Sequence, residues 1–539
     1  MKGKRFSAKM YHMSSPKKIL LIILDGWGIG QNNFTNPIWQ SGTPQLEKWF
    51  NNYPIGSLQA SGNAVGLEWQ DLGGSEVGHM TIGGGKTVKQ YATKINADIR
   101  SGGFFKQSNL VETLKNVSKN NGSLHILGLL TNTPIHGDLD HLIATTRAAF
   151  ENGIKNSYLD IFLDGRDSGP KRGIVFLKEL QDKIAPYGGI VNTISGRFFA
   201  MDRDQNWGRT KICYDNLTGL RTKVTNNWEE YLKDNYNQGI NDEFIDPVSL
   251  GGENPSRPIQ GNDTLIFTNF REDRARQLFS TFALPHFNYF ETKKLEGLHL
   301  LSMVKYHPDF TTPYLYDPDV VNNPLARVLS DSGKRQLHLA ESEKYAAVTY
   351  FFNGLKEKPY PSEHWVIVPS IKTGHLEESP SLAIGEVNER LLQAMDDNIY
   401  DFILVNYANS DLIAHTGNFQ AGLDVVKIMD DKVNQIINKA LAVNYTVIVT
   451  SDHGNLEQMI NPTTGEIDTQ HNLNPVPFWL IDPEYKLATP RFTSESQKRE
   501  KLSIGTLADI APTILELMSI SKPPEMNGQS LIPILKRNN

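Results

Sequence analysis

The sequence predicts an α/β fold of two domains, each built on a mainly parallel sheet. Three observations predict it. Short apolar runs alternate with longer helical patterns along most of the 539 residues, as strand–helix–strand units require. The length exceeds one domain, since roughly 100–200 residues per domain gives two to four. Polar residues suited to chemistry fall just past the apolar runs, where open parallel sheets bind ligands.

The elements follow in order. Residues 1–16 form a basic N-terminal extension, expected to be disordered. The first apolar run, Leu20 to Leu24, has strand length and ends at Asp25. A glycine-rich loop, Gly73 to His79, carries Ser75. The runs Leu124 to Leu130 and Leu159 to Leu163 come next, and the second ends at Asp164 and Arg166. Leu265 to Thr268 leads to Arg271. Two stretches read as linkers: Gly83 to Thr87 and Thr311 to Pro318. If both are hinges, residues 90–319 form an inserted domain. The flanking parts, 17–89 and 320–539, then fold together and bring Asp25 to the C-terminal third. There, Phe402 to Val405 ends in Asn406 to Asp411, and Tyr445 to Val449 ends at Asp452. Leu423 to Leu441 and Leu507 to Met518 have helical patterns, with Asp430 and Asp431 on the polar side of the first.

Composition narrows the function. A net charge of −6 gives no basic field, so nucleic acid is not expected as a partner. No apolar stretch approaches the ~20 residues of a membrane helix. A single cysteine, Cys213, permits no internal disulfide and fits a reducing cytoplasm. Two motifs mislead. Gly26-Trp27-Gly28-Ile29-Gly30 lacks the third glycine of a dinucleotide loop, which would fall at Gln31. Gly85-Lys86-Thr87 lacks the leading glycine of a phosphate loop, which would fall at Met80.

The candidate chemistry lies elsewhere. Asp411 and His415 stand at helical spacing, which places both side chains on one face. With Asp25, Asp452, His453 and His471 they make too many ligands for one metal ion. Mixed imidazole and carboxylate ligands suit manganese, zinc or cobalt better than calcium. Ser75 is a weak nucleophile by itself, but two metals ~3.5–4 Å apart can clamp an in-line phosphoryl displacement. In the middle of the chain, Arg166, Arg197, Arg203, Arg271 and Arg274 present forks for a small anionic substrate. Arg271 and Arg274, three apart after a strand, can share a helical face. Asp167 is a candidate general base and His136 a candidate donor or acid.

These motifs resemble those of the cofactor-independent phosphoglycerate mutases, in the alkaline phosphatase superfamily. The match runs from about Lys17 to the C-terminus. It includes Leu24-Asp25-Gly26-Trp27-Gly28, Ser75-Glu76-Val77-Gly78-His79, Leu163-Asp164-Gly165-Arg166-Asp167, Asn269-Phe270-Arg271 and Thr450-Ser451-Asp452-His453-Gly454-Asn455. The resemblance implies a phosphatase-like domain from both chain ends and an inserted transferase domain. It implies that Ser75 is phosphorylated in turnover. One metal ion would take Asp25, Ser75, Asp452 and His453. The other would take Asp411, His415 and His471. Manganese is the expected ion, with cobalt, zinc or magnesium as alternatives, and no bisphosphoglycerate is required. Lys344 would neutralise the phosphoryl group in transit. His136, Arg166, Asp167, Arg197, Arg203, Arg271 and Arg274 would hold the glycerate. The implied reaction interconverts 3-phosphoglycerate and 2-phosphoglycerate in glycolysis and gluconeogenesis, in a cytoplasmic monomer with no membrane partner.

The sequence departs from that pattern at Gly74, where Asn is usual, at Ala347 in place of His, and at Ser410 in place of Pro. The loop Pro134-Ile135-His136-Gly137-Asp138 also differs, though His136 and His141 still align. Two other readings stand beside the mutase: a metal-dependent phosphomonoester hydrolase, and an inactive metal-stabilised binding protein. The arginines separate the first from a mutase, because a hydrolase has no need to retain glycerate. Retention of Ser75 and the ligands argues against the second.

Overall fold

The computed structural model describes residues 16–120, 122–221, 223–251 and 256–537. The expected N-terminal extension therefore falls, except for Pro16, outside the described residues. The chain divides into two compact units. The first joins the residues up to Lys89 with those from Asp319 onward, and the second is Gln90–Pro318.

The first unit is built on an eight-stranded sheet. From edge to edge it runs Glu363–Val368, Gln336–Glu341, Phe402–Tyr407, Lys18–Leu24, Tyr445–Thr450, Val476–Ile481, Ile55–Gln59 and Ser503–Thr506. The first five strands are mutually parallel. Val476–Ile481 is antiparallel to both its neighbours. Lys18–Leu24 shows why a central strand reads as one apolar run. Its Leu20, Ile22 and Leu24 pack with Val425, Val426 and Met429 of the long helix Phe419–Ala442. Its Ile19, Leu21 and Ile23 pack with Ile510, Ala511 and Ile514 on the other face. Both faces are covered, as parallel sheets require.

The second unit carries its own eight-stranded sheet, in the order Tyr314–Tyr316, His299–Val304, Thr264–Phe267, Leu124–Leu130, Ser157–Leu163, Gly189–Gly196, Val248–Leu250 and Val224–Thr225. The first six are parallel. Its core is separate and draws on residues from Ala92 to Tyr316. The α/β class with mainly parallel sheets is thus what the sequence predicts.

Four local expectations change. Thr311 to Pro318 is not a plain linker, because Tyr314–Tyr316 pairs with His299–Val304 at the sheet edge. Gly83 to Thr87 is not a free hinge: Gly83 and Gly84 end the helix Ser75–Gly84, and Gly85 caps it at φ 58°. Leu507 to Met518 begins with a 3-10 turn at Leu507–Asp509 before the α-helix Ile510–Leu517. Asp430 is buried, not solvated. Its carboxylate accepts the backbone N–H groups of Gln45 and Leu46, at 3.0 and 2.8 Å. It thereby caps the helix Pro44–Phe50, whose own N-cap Thr43 offers no side-chain bond.

Among the described residues, no helix is long and apolar enough to cross a membrane.

Candidate active site

Four adjacent parallel strands of the first unit deliver one cluster at their carboxyl ends. Asp25 follows Lys18–Leu24, Lys344 follows Gln336–Glu341, Asp411 follows Phe402–Tyr407, and Asp452 and His453 follow Tyr445–Thr450. Ser75 enters from the side, as the first residue of the helix Ser75–Gly84. That end of a helix favours negative charge. The helix sits close because Gly78 has no side chain: a Cβ there would lie 2.5 Å from the Asp452 carbonyl oxygen.

Ser75 Oγ is the meeting point. Lys344 Nζ donates to it at 2.8 Å. His453 Nε2 lies 3.2 Å away and Asp25 Oδ1 3.3 Å away. Lys344 also donates to Asp25 Oδ1 at 2.7 Å and to Asp411 Oδ2 at 2.6 Å. Burial disfavours the lysine charge, but Asp25, Asp411 and Asp452 outweigh it and hold the pKa above the usual lysine value. Burial likewise favours a neutral Asp452, and His453, His79 and Lys344 outweigh it, so this carboxyl stays well below its ordinary range.

The donor set fits divalent metal ions. His415 Nδ1 is committed to the Thr469 carbonyl at 2.8 Å, and His471 Nδ1 to the Gly73 carbonyl at 2.8 Å. In the neutral rings the Nε2 lone pairs then face each other at 3.2 Å. Both point at Asp411 Oδ1, each from 3.3 Å. Three acceptors in contact repel unless a cation joins them. A second group lies beside this one. Asp452 Oδ2 is fully buried and accepts no hydrogen bond among the described residues. His453 Nε2 is 3.5 Å from it and 3.5 Å from Asp25 Oδ1. A buried, orphaned carboxylate oxygen is costly unless something positive completes it.

The sequence motifs include three residues that hold these groups in place, but reasoning from sequence gave them no role. Asn406 donates to Asp25 Oδ2 at 2.7 Å and lies 3.1 Å from His79 Nε2. His79 Nδ1 reaches the Ser75 carbonyl at 2.9 Å and stands 3.2 Å from Asp452 Oδ2. Asn455 donates to Asp411 Oδ1 at 2.8 Å. Each stands within five residues of a candidate ligand or of Ser75, which is the signal that could have found them. At Gly74 a Cβ would meet His471 at 3.5 Å, an ordinary contact, so the loop has room for a Cβ there.

The second unit gathers most of the other candidates around three carboxylates, Asp164, Asp167 and Asp273. Arg197 is buried, and its Nη1 donates to both Asp164 Oδ1 and Asp167 Oδ2 at 2.5 Å. His136 Nε2 lies 3.8 Å from Asp167 Oδ2 and its Nδ1 3.9 Å from Asp273 Oδ1. Arg203 pairs with Asp273 at 2.6 Å and Arg271 approaches the same carboxylate at 3.5 Å. Arg274 donates to the Met201 carbonyl at 3.3 Å. Arg271 is the N-cap of the helix Glu272–Ala283, so it stands just ahead of the helix and does not share a face with Arg274. Arg166 is exposed and pairs with Glu243 at 3.3 Å. Burial, then Arg197, pushes His136 down to about 4. It is neutral at pH 7 and suited to donate or accept a hydrogen bond.

Two expectations follow for this unit. Arg197→Met leaves Asp164 buried without its cation, which costs about 3–5 kcal/mol. Urea unfolding against the parent protein measures it, and a loss under about 1 kcal/mol contradicts it. The second concerns His141, fully buried, with its Nε2 2.9 Å from Asn96 Oδ1. Burial pushes its pKa down to about 3. The unfolded chain, at the usual 6.5 for histidine, then binds the extra proton between those values. Its contribution is complete above pH 6.5 and is lost as pH falls toward 3, at roughly 1.36 kcal/mol per pH unit. Unfolding free energies at pH 7 and pH 5 should show this slope, and His141→Gln should flatten it.

Comparison with known proteins shows the family. A family model described as BPG-independent PGAM N-terminus matches residues 95–308. The 2,3-bisphosphoglycerate-independent phosphoglycerate mutase 1 of Methanosarcina barkeri is 40% identical over 529 residues, covering 97% of this chain and 100% of its own length. The 2,3-bisphosphoglycerate-independent phosphoglycerate mutase of a Clostridium botulinum strain is 39% identical over 521 residues, covering 96% and 100%. Among solved structures, the Leishmania mexicana phosphoglycerate mutase, crystallised at low cobalt concentration, aligns with a TM-score of 0.66 at 24% identity. It covers 96% of this chain and 98% of its own. That likeness carries the fold, and the sequence relatives carry the family. The chain belongs to the 2,3-bisphosphoglycerate-independent phosphoglycerate mutases, enzymes of the isomerase class.

Proposed function

We propose that the mutase reaction runs through a phosphoserine at Ser75, beside two divalent metal ions. The observation that carries this reading is the setting of Ser75 Oγ, 2.8 Å from Lys344 Nζ and 3.2 Å from His453 Nε2, at a helix N-terminus. One ion would be held by Asp25, Ser75, Asp452 and His453, the other by Asp411, His415 and His471. Bound there, such ions supply Lewis acidity to the phosphoryl oxygens and favour the serine alkoxide.

The chain's own residues do the rest. Ser75 Oγ attacks the phosphorus of 3-phosphoglycerate, and the bond from phosphorus to the glycerate 3-oxygen breaks. The glycerate 2-oxygen then attacks phosphoserine, the bond to Oγ breaks, and 2-phosphoglycerate forms. Lys344 offsets the phosphoryl charge. In the second unit, His136, Arg166, Arg197, Arg203, Arg271 and Arg274 retain the glycerate. Asp167 relays the proton of the glycerate 2-hydroxyl to the 3-oxygen, which leaves as a hydroxyl, and Ser75 enters and leaves the cycle as the alkoxide. This division gives the phosphatase-like role to 17–89 with 320–539 and the substrate role to 90–319.

Manganese is the proposed ion, supported by the mixed imidazole and carboxylate donors. A cytoplasmic monomer is proposed as the working form. The lone, buried Cys213 supports the compartment.

The test supplies manganese-loaded protein with 3-phosphoglycerate and no bisphosphoglycerate, then assays 2-phosphoglycerate and free phosphate separately. Isomerisation with little free phosphate is expected. Mostly free phosphate would replace the mutase with a hydrolase.

A further inference from the structure

We propose that Glu457 is a positioning residue for the metal-ligand loops, a reading that rests on the proposed metal site. The Glu457 side chain is buried, 1% exposed. Its Oε2 accepts the Gly28 N–H at 2.8 Å and the Asn455 N–H at 2.9 Å. Its Oε1 accepts from Asn474 Nδ2 at 2.9 Å. These donors lie on three different loops. Gly28 is three residues past Asp25, Asn455 is two past His453, and Asn474 is three past His471. One carboxylate therefore ties together segments that supply ligands to both proposed ions. Asn455 extends the tie to Asp411 Oδ1 through its own side chain, at 2.8 Å. The Leu456 N–H reinforces it with a 2.9 Å bond to the Gly26 carbonyl.

The space around this carboxylate is shaped for it. A Cβ on Gly28 would lie 2.4 Å from Glu457 Cδ, so no larger residue fits while the glutamate holds its place. Among the described residues no lysine, arginine or histidine pairs with Glu457. Its partners are neutral N–H donors, so what it supplies is geometry. Groups of this kind orient ligands from behind, and their loss typically lowers metal affinity by about 10–100-fold.

Manganese binding to the full-length protein tests this by calorimetry and by electron paramagnetic resonance, alongside melting of the metal-free form. Glu457→Ala should weaken manganese binding about 10–100-fold while the metal-free protein still melts cooperatively. Glu457→Gln should recover most of the affinity, to within about threefold, because one amide oxygen accepts both backbone N–H groups and Asn474 can turn its amide. Gly28→Ala should weaken binding like Glu457→Ala, by displacing the carboxylate. Placed in the Glu457→Ala protein, it should add little, since the space is now open. Gly28→Ala carries the test if Glu457→Ala does not fold. Unchanged affinity in Glu457→Ala, additive losses in the double variant, or no recovery in Glu457→Gln each overturn the proposal. Failure of the parent protein to bind manganese would remove the metal site itself, and this inference with it.

Discussion

Ser75→Ala is expected to lower phosphoglycerate mutase activity by roughly 10⁴-fold or more, the scale seen when a covalent nucleophile is removed. The hydroxyl is the atom on which Lys344, His453 and Asp25 converge. Alanine keeps the backbone of the helix Ser75–Gly84 and leaves no group to carry the phosphoryl. The fold should stay intact, since Ser75 is only half-buried and alanine favours a helix. Phosphorus NMR of the product mixture reads the activity. Acid-quenched turnover followed by peptide mass spectrometry reads phosphate on Ser75 in the parent protein and none in the variant. Activity in Ser75→Ala above one-tenth of the parent would end the covalent mechanism.

Stripping divalent ions with EDTA is expected to lower activity at least ~100-fold, with recovery on adding manganese. The acceptor groups described above are the reason. Without metal ions, Nε2 of His415 and of His471 each confront Asp411 at 3.3 Å, and Asp452 Oδ2, with His79 Nδ1 at 3.2 Å and His453 Nε2 at 3.5 Å, completes no hydrogen bond among the described residues. The loss should therefore extend to stability. An ion present at 100 times its dissociation constant contributes about 2.7 kcal/mol per site. Thermal melts with and without manganese measure that part, and product assays the other. Full activity in protein shown metal-free by elemental analysis would overturn the reading.

Much of this architecture was legible because a parallel sheet announces itself twice. Its strands are continuous apolar runs, and its chemistry sits just past them. Asp25 after Leu24 and Asp452 after the run from Tyr445 obey both rules. What was not legible depends on partners far away in sequence. Asp430 occupies a position that reads as solvent-facing, yet it caps a helix 385 residues earlier. Glu457 looks like one more acidic residue until Gly28 and Asn474 close around it. Tyr314–Tyr316, between threonines, prolines and aspartates, has the composition of a loop and becomes a strand because the sheet offers an edge. The arginines stood out by residue type as candidates for an anion site. Asp273 was not, because its role as their shared partner exists only after folding.

The place of Lys18–Leu24 in the middle of its sheet has a consequence for how the chain is made. Its partners are Phe402–Tyr407 and Tyr445–Thr450, with Leu24 opposite Tyr407. A ribosome releases that central strand hundreds of residues before either neighbour exists. At roughly 5–20 residues per second, it waits tens of seconds. Gln90–Pro318, contiguous and with its own core, emerges whole in the interval. Throughout that time the strand Lys18–Leu24 is an unpaired apolar segment on a nascent chain, the kind that chaperones bind. The same gene with its start moved to residue 319, so that Lys18–Leu24 is translated after both Phe402–Tyr407 and Tyr445–Thr450, would spare it the wait.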